Sequence, residues 1–151
     1  MKAKEIDTVN IRRMARTDID AILALNKKIG GDQARVNYRD MISTDPGGPL
    51  DLSFVAEAGG QIVGFVLARL AYLYIPFTEV CLIHSIVVDP DYQRQKLGSR
   101  LINELESHCH LEEINTIRAL VNERDTELRS FIERLGFRRS NIVNYDKTME
   151  S

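Results

Sequence analysis

At 151 residues, 44% hydrophobic and 28% charged, the chain suits one globular domain with one sizeable core. Lys and Arg number 20 against 22 Asp and Glu, and the formal net charge of −2 argues against a broadly basic nucleic-acid surface. The opening MKAKEIDTV lacks the apolar centre of a signal peptide. The longest apolar stretch, Gly64 to Phe77, is broken by Arg69 and too short to span a bilayer, so a cytoplasmic protein with no membrane partner is expected.

Asn10 to Met14 reads as a first strand. Thr17 and Asp18 then supply N-cap chemistry for a helix with Ile19, Ile22, Leu23 and Ile29 on one face, stopped by Gly30 and Gly31. A second helix is expected over about Asn37 to Ile42, followed by a turn at Thr44 to Pro49. Leu52 to Ala58 and Gln61 to Tyr72 are strand-like and joined by Gly59-Gly60, two residues suited to the positive φ angles of a tight hairpin. A further strand runs from about Glu79 to Val88.

Gly98 to Cys109 carries Leu101, Ile102, Leu105 and Cys109 at helical spacing. Thr116 to Val121 reads as a strand, Thr126 to Leu135 as a helix ended by Gly136, and Ser140 to Met149 as a last strand. The order β-α-α-β-β-β-α-β-α-β predicts an α/β (α+β) domain with a mixed, mostly antiparallel sheet flanked by helices. No repeat or linker divides it, so residues 1–151 read as a single domain.

The stretch Ile83 to Leu101, IHSIVVDPDYQRQKLGSRL, carries the most chemistry. A β-branched run (Ile86, Val87, Val88) meets a Pro turn, then a basic, amide-rich loop (Gln93, Arg94, Gln95, Lys96), then Gly98 and an amphipathic run. Strand, polar loop, Gly and helix together aim backbone N–H groups and a helix N-terminus at an anion, of which phosphate or pyrophosphate fits best. The two cysteines, Cys81 and Cys109, have no metal-ligand spacing and read as reduced, buried or half-buried thiols. His108 and His110 lie two apart near a helix end, which is wrong for a metal pair, and no metal is expected.

This loop, with the later Asp125 to Phe137 segment, resembles the GNAT superfamily of acetyl-CoA-dependent N-acetyltransferases. The family's loop pattern, Gln/Arg-x-x-Gly-x-Gly/Ala, falls on Gln93, Lys96 and Gly98. Its later pattern, Asn-x-x-Ala-x-x-Leu-Tyr ending in Leu-Gly-Phe, falls on Asp125, Leu128, Phe131, Ile132 and Leu135-Gly136-Phe137. Val9 to Asp18 is similar to the family's first strand and helix entry.

The resemblance implies that the strand edge at Ile86, Val87 and Val88 bonds the pantetheine arm of acetyl-CoA through its backbone. It also implies that Gln93, Arg94, Gln95, Lys96, Leu97, Gly98 and Ser99 cradle the pyrophosphate, with Arg94 and Arg100 adding charge and Asp125 near the CoA arm.

Three positions depart from the family. Lys96 stands at the first loop glycine, so either its backbone is ordinary or its ammonium offsets strain by meeting phosphate. Asp125 replaces asparagine. Ile132 replaces the tyrosine that protonates the leaving thiolate, with Tyr145 as either a substitute or a core strand aromatic.

Direct attack by a primary amine in a ternary complex needs that amine neutral, and His84 is the candidate base. Strict alternation sets it on the face of Ile86 and Val88, two residues before the expected CoA edge. The other reading of His84 is a half-buried core histidine, and Glu79 is a second base candidate. The resemblance implies a small-molecule or protein amine as acceptor, met between Ile29 to Pro49 and Leu70 to Thr78, with Tyr72, Tyr74 and Phe77 as either pocket or packing. A homodimer is left open, and the rival class is a non-catalytic CoA-binding module on the same fold.

Overall fold

The computed structural model describes residues 9–30, 45–74 and 77–150. The chain divides into two compact units, Met1–Leu120 and Val121–Ser151. In the first, strands β1 (Val9–Arg13), β2 (Phe54–Ala58), β3 (Gln61–Tyr74), β4 (Phe77–Val88) and β5 (Ile117–Ala119) form one sheet in the order β1-β2-β3-β4-β5. The β1/β2, β2/β3 and β3/β4 pairs are antiparallel, and β4/β5 is parallel. This is the mixed, mostly antiparallel sheet expected from the pattern. The second helix expected near 37–42 lies outside the described residues.

Entry into helix α1 (Ile19–Gly30) runs through a short 3-10 turn, Arg16–Asp18. Asp18 organises it. Its Oδ2 accepts the Ala15 N–H at 2.7 Å, and its two oxygens take the two terminal nitrogens of Arg12, each at 2.8 Å. Arg12 Nη2 also reaches Glu57 on β2 at 2.8 Å, which ties the helix entry to two strands. The Arg12 hydrogen bonds hold the buried Asp18 carboxyl below its usual range, while the two carboxylates push the guanidinium up.

The β2–β3 hairpin turns on Gly59 and Gly60, at φ +57° and +79°. Both angles are positive, as the tight two-residue turn requires. One face of the sheet packs on α1 through Met14, Ile22, Leu25, Val55, Phe65 and Leu67. The other face receives helix α2 (Leu97–Leu111), whose Leu97, Leu101, Ile102, Leu105 and Cys109 are all fully or almost fully buried. Removing each of the four aliphatic side chains from water is worth about 1.5–3 kcal/mol.

Gly64 lets α2 come close: a Cβ there would lie 3.5 Å from Leu101 Cδ1 and 3.2 Å from the Val87 carbonyl oxygen. Both cysteines are free and buried, with the Cys81 thiol raised well above its usual range by its hydrogen bond to Cys109 and by burial. Helix α2 ends in a left-handed residue, Glu113. The Glu113 N–H bonds the His110 carbonyl and the Ile114 N–H bonds that of Cys109, satisfying the last turn.

In the second unit, helix α3 (Thr126–Arg134) begins at Asp125, whose Oδ1 accepts the Leu128 N–H at 3.1 Å. The expected final strand does not form: residues 138–150 carry neither helix nor strand. Ile142, Val143, Tyr145 and Met149 are exposed, and no strand among the described residues pairs with this segment. An apolar alternation without a partner edge cannot satisfy its backbone as a ladder.

Candidate functional site

The β4/β5 ladder joins Cys81, Leu82 and Ile83 to Ile117, Arg118 and Ala119 and goes no further. β4 continues to Val88, still paired on its other side with β3 as far as Gly64↔Val88. Among the described residues, no strand pairs with the outer edge of His84 to Val88. Its outward backbone donors and acceptors are therefore available to an extended ligand, as any open strand edge is.

At the start of that edge the β3/β4 register shifts. Leu67 pairs with Ser85 and Ala68 with Ile83, so His84 is the extra residue of a β-bulge in β4. A bulge leaves its extra residue out of the ladder and re-aims side chains. That changes the face on which His84 sits. Ile86 and Val88 pair with Val66 and Gly64, and Gly64 abuts Leu101 of α2, so both point to the α2 face.

His84 instead lines a cleft of about 90 Å³ with Met14 and Leu67 of the α1-side core, Ala68 and Arg69 of β3, and Asp45 and Asp51 from the turn before β2. Strict alternation would have kept His84 beside Ile86; the inserted residue breaks it. The imidazole is exposed to this cleft, not shut in the core. Partial burial, and secondly the positive charge of Arg69, hold its pKa below the ordinary 6.5, so it is neutral at physiological pH. A neutral imidazole on a cleft wall can accept a proton. Glu79 lies near the start of β4 opposite Tyr72 and does not line the cleft.

The loop after β4 is built by Asp89 and Lys28. Asp89 accepts the Asp91 N–H at 3.0 Å, its own N–H bonds the Val63 carbonyl at 2.8 Å, and Lys28 of α1 reaches its Oδ2 at 2.9 Å and Asp91 at 3.7 Å. The lysine thus sets a positive charge against two carboxylates of this loop. A 3-10 turn, Pro90–Gln95, carries Gln93, Arg94 and Gln95 to the start of α2; their side chains lie outside the described residues.

Lys96 then adopts φ +56° and ψ +35°, which is left-handed, and caps α2. Its backbone is not ordinary: it takes the conformation for which a glycine would be suited. Leu97, Gly98 and Ser99 follow as the first turn of α2, where N–H groups lack intrahelical partners and the helix dipole favours an anion.

Arg100 gives one guanidinium nitrogen to the Val9 carbonyl at 3.0 Å, tying α2 to β1. Val87 packs its side chain on the α1-side core and offers an incoming chain only its backbone. Asp125 is occupied as the cap of α3, a role an asparagine fills equally. Ile132 is 8% exposed and serves as an apolar anchor of its unit. Tyr145, at 91% exposure and outside any strand, is not a core aromatic.

Tyr72 is 57% exposed, while the side chains of Tyr74 and Phe77 lie outside the described residues, as do residues 31–44 of the expected acceptor region. Lys28, Arg69, Asp45 and Asp51 were missed as site residues. Each is ordinary in its local sequence, and only the bulge and the pairing of Asp51 with Arg69 bring the last three to His84.

Residues 22–137 match the acetyltransferase (GNAT) family. An uncharacterized N-acetyltransferase of Methanocaldococcus jannaschii is 30% identical over 149 residues, covering 91% of this chain. The chain spans 64% of that relative's length. The aminoglycoside acetyltransferase AAC(6')-Iy, solved with a CoA-containing bisubstrate analogue, superposes with a TM-score of 0.77 at 19% identity, covering 93% of this chain and 99% of that one. The aminoglycoside 6'-N-acetyltransferase AAC(6')-Ih of Acinetobacter baumannii gives a TM-score of 0.76 at 19% identity, covering 95% and 99%.

Proposed function

The chain belongs to the GNAT family of acetyltransferases, and from that premise we propose that it acetylates the primary amine of a small molecule by direct transfer from acetyl-CoA. The open outer edge of His84 to Val88 is the place for the pantetheine arm, and the left-handed Lys96 with the first turn of α2 is the place for the pyrophosphate. The amine arrives from the α1 side, in the cleft that His84 lines.

One observation carries this reading: the bulge at His84 sits where the β4/β5 ladder stops. The acyl donor on the strand edge and the amine in the cleft then meet at one residue.

The arriving ammonium gives one proton to His84, the freed lone pair forms the N–C bond as the C–S bond breaks, and the acylated nitrogen then loses its second proton to solvent. The sulfur leaves with the electron pair and is protonated from solvent. A thiol pKa of about 8.5 makes that thiolate a tolerable leaving group without a general acid, which suits the isoleucine at position 132. The aminoglycoside acetyltransferases of the same fold support a small-molecule amine as acceptor.

The test is release of free CoA thiol from acetyl-CoA against a panel of amines. His84→Gln should lower kcat by about 100-fold or more while acetyl-CoA affinity is kept. Tight acetyl-CoA binding with no thiol released on any amine would overturn the proposal in favour of a binding module.

A further inference from the structure

Resting on the transferase reading above, we infer that the acceptor carries a carboxylate as well as its amine, and that Arg69 is the residue that selects it. The charges around the cleft are unequal in how they are used. Asp51 is the cross-strand neighbour of Arg69 and its natural ion-pair partner. Both Asp51 oxygens accept backbone hydrogen bonds of its own turn, however: Oδ2 from the Gly47 N–H at 2.8 Å and Oδ1 from the Ser53 N–H at 3.3 Å.

Arg69 is left exposed at the cleft, with no hydrogen bond or ion pair among the described residues. Its backbone is fixed in the middle of β3, between Asp51 and Leu82, so the guanidinium is presented from a rigid element. A guanidinium so placed matches a carboxylate with two parallel hydrogen bonds.

Arg69 is also near enough to His84 for its charge to act on the imidazole. The carboxylate site and the proton acceptor are therefore neighbours on one wall. The other charged groups on the cleft are Asp45 and Asp51, both from the turn before β2. Asp51 is held by that turn, and Asp45 is placed to meet the ammonium form of the arriving amine. Cation on one wall and carboxylate on the other fit a molecule with the charge layout of an amino acid. A polycation would set one of its charges against Arg69.

The experiment compares matched acceptors that differ in one carboxylate: lysine with cadaverine, ornithine with putrescine, phenylalanine with phenethylamine. In the native protein the carboxylated member should have the higher kcat/KM, by roughly 10–100-fold and mainly through KM. Arg69→Gln should collapse that ratio towards one, and Arg69→Lys should restore part of it. Melting temperature and acetyl-CoA affinity report folding in both variants.

Turnover of amines with no preference for the carboxylated member, or a preference that survives in Arg69→Gln, overturns this inference and leaves the transferase reading standing. Bound acetyl-CoA with no turnover of any amine overturns both.

Discussion

Lys96→Gly tests the loop at its least comfortable residue. At φ +56° and ψ +35°, Lys96 holds an L side chain in the left-handed region, at a cost of about 1–2 kcal/mol that glycine does not incur. Glycine's greater freedom in the unfolded chain takes back about 0.4–1 kcal/mol. The net expectation is a gain of about 0.5–1 kcal/mol, or a rise of about 1–4 °C in Tm for a chain of this size. Lys96→Ala keeps the strained backbone and removes the ammonium, so it should leave stability nearly unchanged.

Glu113 provides the matched control. It has φ +60° at the other end of α2, away from the loop, and Glu113→Gly should give a gain of similar size. Urea unfolding at constant m-value reads all three stabilities, and isothermal titration with acetyl-CoA reads binding. Equal acetyl-CoA affinity in Lys96→Gly and Lys96→Ala, both near that of the native chain, would mean that the loop binds through its backbone. A Lys96→Gly protein no more stable than Lys96→Ala would refute backbone strain at this position.

Asp18→Asn should cost about 1.5–3 kcal/mol in chemical denaturation, because a buried charge-assisted pair with Arg12 becomes a neutral contact. That difference should be complete above the ordinary carboxyl value of 3.8 and vanish as pH falls through the lower pKa of the folded state, since the folded carboxyl is the harder one to protonate. The acid limb of kcat/KM should lie below pH 6.5, where His84 becomes protonated, and removing the positive charge in Arg69→Gln should move it to higher pH. Gly64→Ala places a Cβ 3.2 Å from the Val87 carbonyl oxygen and should destabilise the fold by about 1–3 kcal/mol, read as a lower urea midpoint.

Much of this architecture was legible in periodicity. The alternation in β2 and β3, the Gly59-Gly60 hinge and the 3.6-residue rows of α1 and α2 each reflect a face that must be buried, and such faces leave a clear trace in sequence. The turn after β4 and the start of α2 were legible for a similar reason, since a Pro turn, a polar run and a helix start are all local devices. What was hidden depends on partners distant in the chain. The tail around Tyr145 has strand-like residues, yet a strand exists only where an edge receives it. Arg100 lies beside the loop in sequence, and nothing local announces its hydrogen bond to the Val9 carbonyl, 91 residues away.

The position of His84 is the instructive failure. Strict period-two reading set it with Ile86 and Val88, and one inserted residue moved it to the opposite face. No local residue type announces that bulge: the flanking Ile83 and Ser85 are ordinary strand residues, and Ala68 across from them is too. The shift follows from β4 serving two partners. It stays paired with β3 on both sides of Leu67 and Ala68, where the register slips by one residue, while leaving β5 after Ile83, and the extra residue falls directly after that departure. A bulge adds bend and twist at its site, which is what one strand needs to diverge from one neighbour while keeping the other. The geometry that opens the strand edge therefore also turns the imidazole towards the cleft, so the two halves of the site arise from a single irregularity in the sheet.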